Sequence, residues 1–195
     1  MIEEVQQKHE KRNTLARFVN SNHSDLLGGI AVNWYIFGYN NHTRYQPWPL
    51  TFRFQRRESG VNQHVKTFVN IDQYEKPADS PHSFEYLNNA SVIDTKGVAL
   101  SEPTYFHPNG PTDMAVIHHI WTKSLEEYRS RCKRGRATTT KKEHILTQPY
   151  CKSEEEALQF FQTIHPYEAM VEDDSAWKFL AEGMPEKYGK IDQSH

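Results

Sequence analysis

The sequence predicts an α/β or α+β domain, a mixed sheet with flanking helices, and three observations lead there. Apolar or alternating runs bounded by Gly, Pro and Asn recur between Gly28 and Trp121 and read as strands. Segments with helical period and capping residues crowd the C-terminal third, from Ser124 to Ala181. Between them, Ala115–Ala137 turns a β-branched run into a His pair, His118 and His119, and then into a helix that starts acidic and ends basic. Strands followed by helices fit a mixed sheet covered by helices.

Residues 2–20 favour helix, with Leu15, Phe18 and Val19 as the apolar face, and the Asn/Ser/His/Asp run at 20–25 ends it. Residues 28–38, apolar and aromatic and bounded by Gly, predict a buried strand. A loop with Asn pairs and two prolines follows at 39–49. Leu50–Phe54 alternates and predicts a strand. So does His64–Asn70, which sets Val65, Thr67 and Val69 on one face and Lys66 and Phe68 on the other. A Pro-containing loop leads to Pro81–Tyr86, then Ser91–Gly97 predicts a short strand and a Gly turn, and 102–112 is irregular. Ala115–Trp121 predicts a strand. Ser124 caps a helix over Leu125–Arg134 with Glu126 and Glu127 in its first turn and Gly135 just past its end. A Thr/Lys-rich connection at 137–142 precedes a helix opened by a capping box from Ser153 to Glu156. A last helix is expected over Tyr167–Ala181 and a frayed tail over 184–195.

At 195 residues the chain is long enough for one domain with a sizeable core, placed here at 26–183 after an N-terminal helix and linker at 1–25. A 36% hydrophobic and 12% aromatic content is globular, and a net charge of −2 gives no global field for nucleic acid. The two cysteines, Cys132 and Cys151, lie outside any CxxC spacing and are expected as free thiols in a reducing compartment, with a single bridge between them as the alternative. With no run of eighteen apolar residues and no apolar leader, a cytoplasmic protein without a membrane span is expected. Asn22, Asn41 and Asn89 each open an Asn-x-Ser/Thr triplet, a number that chance supplies in an Asn-rich chain. Walker, GxGxxG, GxSxG and HExxH motifs are all missing, which disfavours a nucleotide-loop enzyme, a serine hydrolase and a zinc hydrolase. Adjacent on a strand, His118 and His119 face apart and cannot form a same-face ligand pair. Asp113 and Glu127 flank this strand as weak candidates for a general base.

Several segments, in order, resemble the second half of glycosyltransferases of the family 2 and family 92 type. They are Gly29–Gly38 with its Trp34-Tyr-Ile-Phe-Gly38, then Arg53-Phe54, Val65-Lys66-Thr67, Pro81-His82, His119-Ile-Trp-Thr-Lys-Ser124 with Glu127, Lys133-Arg-Gly-Arg136, and Glu172-Asp173. The resemblance spans most of residues 28–180. It implies a partial nucleotide-diphospho-sugar transferase (GT-A-like) fold, a nucleotide-sugar donor, a glycan or other hydroxyl acceptor, and Mn²⁺ or Mg²⁺. By position it implies His119 as metal or diphosphate ligand. Lys123, Lys133, Arg134 and Arg136 would neutralise the leaving diphosphate, with Trp34, Lys66 and His82 as further substrate contacts. The family's Asp-x-Asp motif has no counterpart before Leu15, and position 118 is His where the family tends to have Asn. The resemblance therefore also implies an N-terminal half outside this chain. A non-catalytic sugar- or partner-binding remnant of the same fold is the rival expectation, with a His-dependent metal hydrolase a distant third.

Overall fold

The computed structural model of the chain describes residues 14–21, 24–134, 151, 153–189 and 191. Among them the strands are β1 (Leu27–Phe37), β2 (Arg56–Arg57), β3 (Asn62–Val69), β4 (Tyr74–Pro77), β5 (Phe84–Tyr86), β6 (Ser91–Ile93), β7 (Ile117–Ile120) and β8 (Val171–Glu172). The helices are α1 (Thr14–Ser21), α2 (Leu50–Arg53), α3 (Leu125–Arg134), α4 (Glu154–Ile164), α5 (Ser175–Gly183) and α6 (Pro185–Tyr188). The architecture is mixed α/β, with largely antiparallel strand pairing and flanking helices. The described residues fall into two compact units. One is drawn from the chain up to Tyr35 and from Val61–Ile117, the other from Ile36–Gly60 and from His118 onward.

The first unit is organised by β1, whose apolar run is buried along most of its length because strands flank it and side chains cover it. It pairs antiparallel with β3, Gly29 opposite Val69 through Asn33 opposite Val65, and parallel with β6. Phe18 and Val19 of α1 pack on Leu27, Ile30 and Val32 with Ile93, Ala115 and Ile117, as the helical spacing of those two residues predicts. Ala31, Val65 and Val92 form a second cluster with Tyr86 and Leu100. β4 and β5 make a separate two-stranded ribbon within this unit. β4 lies in a stretch whose Pro and charged residues read as loop. Two strands that are short and mostly exposed need little apolar pattern.

In the second unit the end of β1 pairs with β2, Phe37 opposite Arg57, and β2 pairs with β8, Arg56 opposite Glu172. Tyr39, Leu125, Tyr128, Cys132, Ala157 and Phe161 form its core, so α3 and α4 pack through the apolar positions of two charged helices. Ser153 and Glu156 close a reciprocal capping box on α4: the Glu156 N–H donates to Ser153 Oγ at 3.0 Å and the Ser153 N–H to the Glu156 carboxylate at 3.1 Å.

Four expectations are corrected. Cys132 and Cys151 are not free thiols; they form a disulfide (Cα–Cα 5.5 Å) that ties the end of α3 to the residues before α4. Leu50–Arg53 is one helical turn, not a strand: five residues of alternation also place Leu50 and Phe54 four apart, which suits a turn started after Pro49. Tyr167–Ala181 is not one helix. A 3₁₀ turn at Tyr167–Ala169 gives way to β8, and α5 starts only at Ser175, because the Asp173 carboxylate accepts the Ser175 N–H and opens the helix there. The stretch after Met184 carries a turn of helix, α6, with Pro185 at its first position. No described helix is long and apolar enough to cross a membrane. The expected helix over 2–13, the Asn22 triplet, the Gly135 helix end, the 137–142 connection and Arg136 lie outside the described residues.

Candidate functional site

In the first unit, three residues named for substrate contact come together from three separate segments. The register of β1 on β3 slips between Asn33 and Trp34, so that Trp34 lies opposite Asn62 and β3 carries extra residues past it. The slip brings the His64 ring parallel to Trp34, with centroids 5.7 Å apart and planes 4° from parallel. The Pro81–His82 turn sets the His82 ring edge-on to Trp34 at 5.4 Å. Lys66 Nζ lies 5.7 Å from the Trp34 ring centre. Trp34 is 5% exposed, Lys66 is exposed and the two imidazoles are half-buried.

The protonation of this cluster is set by its surroundings. The His64 Nδ1–H donates to Asn62 Oδ1 at 2.8 Å. Burial first, then the charges of Lys66 and His64, lower the His82 pKa, so His82 is neutral at pH 7. Its Nδ1 is buried and makes no hydrogen bond among the described residues. Two imidazoles beside an indole, with one exposed ammonium, suit an uncharged polar ring joined to an anionic group. The rings offer apolar and acceptor surface and Lys66 a point charge.

The second unit holds the strand-to-helix corner. Ser124 caps α3 in a reciprocal arrangement with Glu127, whose N–H donates to Ser124 Oγ at 3.3 Å while the Ser124 N–H and hydroxyl donate to its carboxylate at 3.2 and 2.7 Å. Arg53, with a side chain only 3% exposed, donates to the two Glu127 oxygens at 2.8 and 3.1 Å. Burial is the largest single influence on Glu127 and raises its pKa. The Arg53 and Ser124 hydrogen bonds and the Arg53 charge together outweigh it and draw the pKa down to about 2. Glu127 is thus a structural carboxylate, poorly suited to take a proton near neutral pH.

The remaining expected residues scatter. Lys123, at a left-handed φ of 59°, lines a cavity of about 450 Å³ with Trp121, Arg131 and Arg134. Lys133 lines a different one, of about 230 Å³, with Arg44, Arg129 and Glu154. His118 stacks on Phe37 at 4.8 Å; burial first lowers its pKa, the Asp173 charge opposing and Arg57 assisting. His119 is half-buried on the same strand. Among the described residues no three His, Cys, Asp or Glu side chains gather to hold an ion. Asp113 is exposed and faces the equally exposed Lys96 at 3.6 Å.

Among functional or structural residues with no role expected from the sequence are His64 and the pair Asp94–His107. His64, like Arg53, sits inside an alternating run, and alternation gives no hint of long-range partners. Asp94 and His107 lie thirteen residues apart, the first in the short strand-and-turn segment and the second within the irregular 102–112 segment, and no local signal joins them. Comparison with known proteins finds no matching family model, no matching curated protein and no matching solved structure.

Proposed function

We propose that the chain is the substrate-holding part of a glycosyltransferase, one that binds a nucleotide-sugar donor and passes the sugar to a hydroxyl acceptor. The observation that carries the reading is the meeting of Trp34, Lys66 and His82. Each was singled out in a different segment of the resemblance, and the three lie within contact of one indole ring. Their chemistry matches the ligand: ring surface and acceptor nitrogens for a sugar or base, and a cation for a phosphate.

Calorimetric titration of the full chain with a panel of nucleotide-sugars, with and without Mn²⁺, tests this. Saturable binding is expected, weakened roughly tenfold or more by Lys66→Ala, the effect of about 1.4 kcal/mol of lost contact. No binding of any donor at millimolar concentration sinks the reading. The rival, a non-catalytic binder of the same ligands, draws on the commitment of Glu127 to Arg53 and Ser124, which removes it as a base. Donor binding without sugar transfer to any acceptor would favour that rival.

A further inference from the structure

A buried Asp–His pair in the first unit takes no part in the cluster around Trp34. Asp94 has a side chain 6% exposed, and its Oδ1 accepts the N–H groups of Lys96 and Val98 at 2.8 and 3.0 Å. Those two bonds occupy one carboxylate oxygen and fix the plane of the group. The other, Oδ2, accepts the Nε2–H of His107 at 3.2 Å. A carboxylate can only accept, so this bond places the imidazole proton on Nε2 and leaves Nδ1 with a free lone pair. Among the described residues Nδ1 makes no hydrogen bond, and the ring is 24% exposed. The imidazole is oriented from below and open on one side.

The backbone around His107 is held as firmly as its ring. The His107 N–H donates to Gln63 O at 2.7 Å, and its carbonyl accepts Asn33 Nδ2 at 2.9 Å and the Gly110 N–H at 3.2 Å. Asn33 is 1% exposed, and Gly110 lies so close above it that a methyl group there would run into Asn33 Oδ1 and the His107 ring. His107 also adjoins the substrate cluster through the chain. Its neighbour Phe106 packs on His64 at 4.6 Å, and His64 lies over Trp34. Fixed backbone, fixed tautomer and an open acceptor nitrogen are the properties a proton acceptor in catalysis requires.

We propose that His107 is the general base of the transfer, with Asp94 as its positioning residue; this rests on the glycosyltransferase reading above. His107 Nδ1 takes the proton of the acceptor hydroxyl as that oxygen forms its bond to the donor's anomeric carbon. The bond from that carbon to the nucleoside diphosphate breaks, and the diphosphate leaves with the electron pair. The imidazolium, stabilised by the Asp94 carboxylate, then returns its proton to solvent. One displacement at the anomeric carbon inverts its configuration.

The test uses the full chain labelled with ¹⁵N-histidine, its donor affinity by calorimetry, and its transfer rate to hydroxyl acceptors. In the wild type the His107 Nδ1 resonance is expected at the shift of an unprotonated ring nitrogen. Asp94→Asn keeps an oxygen for the two backbone N–H groups but turns its NH₂ toward Nε2, which must become the acceptor. Nδ1 then carries the proton and the base is lost. Both His107→Gln and Asp94→Asn are expected to lower kcat by about 10²–10⁴-fold with donor affinity unchanged. A protonated Nδ1 in the wild type, a His107→Gln rate equal to the wild type's, or a product of retained configuration overturns the proposal while donor binding stands. Donor binding without transfer overturns it in favour of the binder. Absence of donor binding removes the glycosyltransferase reading and this inference with it.

Discussion

Arg53 is a cation whose side chain is 3% exposed, and it is tolerated because every direction around it is occupied. Two bonds go to Glu127, Nε donates to Trp48 O at 3.2 Å, and the rings of Tyr45 and Phe54 lie 5.3 and 4.9 Å from the guanidinium carbon. Taking one partner away leaves a desolvated charge, which costs far more than the intact pair contributes. Glu127→Ala should therefore destabilise the protein by about 3–5 kcal/mol, while Arg53→Met with Glu127→Gln should recover part of that loss. Urea unfolding of the three variants measures it, and a Glu127→Ala midpoint equal to the wild type's contradicts the account. Half of this arrangement is legible in the sequence. Ser124 and Glu127 stand at capping-box spacing ahead of a helix. The other half is not, because Arg53 arrives from 74 residues upstream, and a periodic reading takes it for the polar position of a strand. The same limit hides Asp94 and His107. Single polar residues advertise neither burial nor partner until the chain has folded.

Elements with strong local rules match their expected places. β1 needed only an apolar and aromatic run between glycines, interrupted by Asn33 alone, and α3 and α4 are marked by Ser124 and Ser153 with their acidic first turns. Elements set by tertiary contact were misread: α2 is too short to show a period, and β8 exists because β2 is there to pair with it. The disulfide belongs to this scale too. Two cysteines outside any motif carry no sequence signal for pairing, yet Cys132 is an apolar position of α3 and Cys151 packs on the same cluster. The bridge closes a loop of sequence separation 19. In the chain-entropy account that is worth about 3 kcal/mol. Reduction, or Cys132→Ala with Cys151→Ala, is expected to lower the urea midpoint by a matching amount. A midpoint that does not move when labelling shows both thiols free would remove the bridge from the stability of this unit.

At the scale of the whole molecule, the groups among the described residues whose pKa values are depressed in the acid range are unevenly distributed between the two units, a partition that no sequence periodicity reports because each unit joins two distant stretches. Glu127, Asp173 and His118 lie in the second unit and His82 in the first. For Asp173, burial raises the pKa but is outweighed by hydrogen bonds from Ser175 and Arg57, the latter at 2.6 Å, and by the His118 charge. In all four the native state binds fewer protons than the unfolded chain between the two pKa values, so stability rises with pH there. The histidine contributions are complete above pH 6.5, the unfolded value, and are lost as pH falls toward the lower folded values. The carboxylate contributions are complete above 4.5 for Glu127 and 3.8 for Asp173, and are lost below. For Glu127, which titrates at about 2 when folded, the loss is on the order of 3 kcal/mol. Fluorine-labelled tryptophan separates the units, since Trp34 reports on the first and Trp48, Trp121 and Trp177 on the second. Urea midpoints of both should fall between pH 6.5 and 5, and below 4.5 the second unit's should fall further than the first's. Midpoints that stay flat from pH 7 to 3, or a first unit that fails earlier in acid, would show that these partners do not hold their charged and neutral forms as the geometry requires.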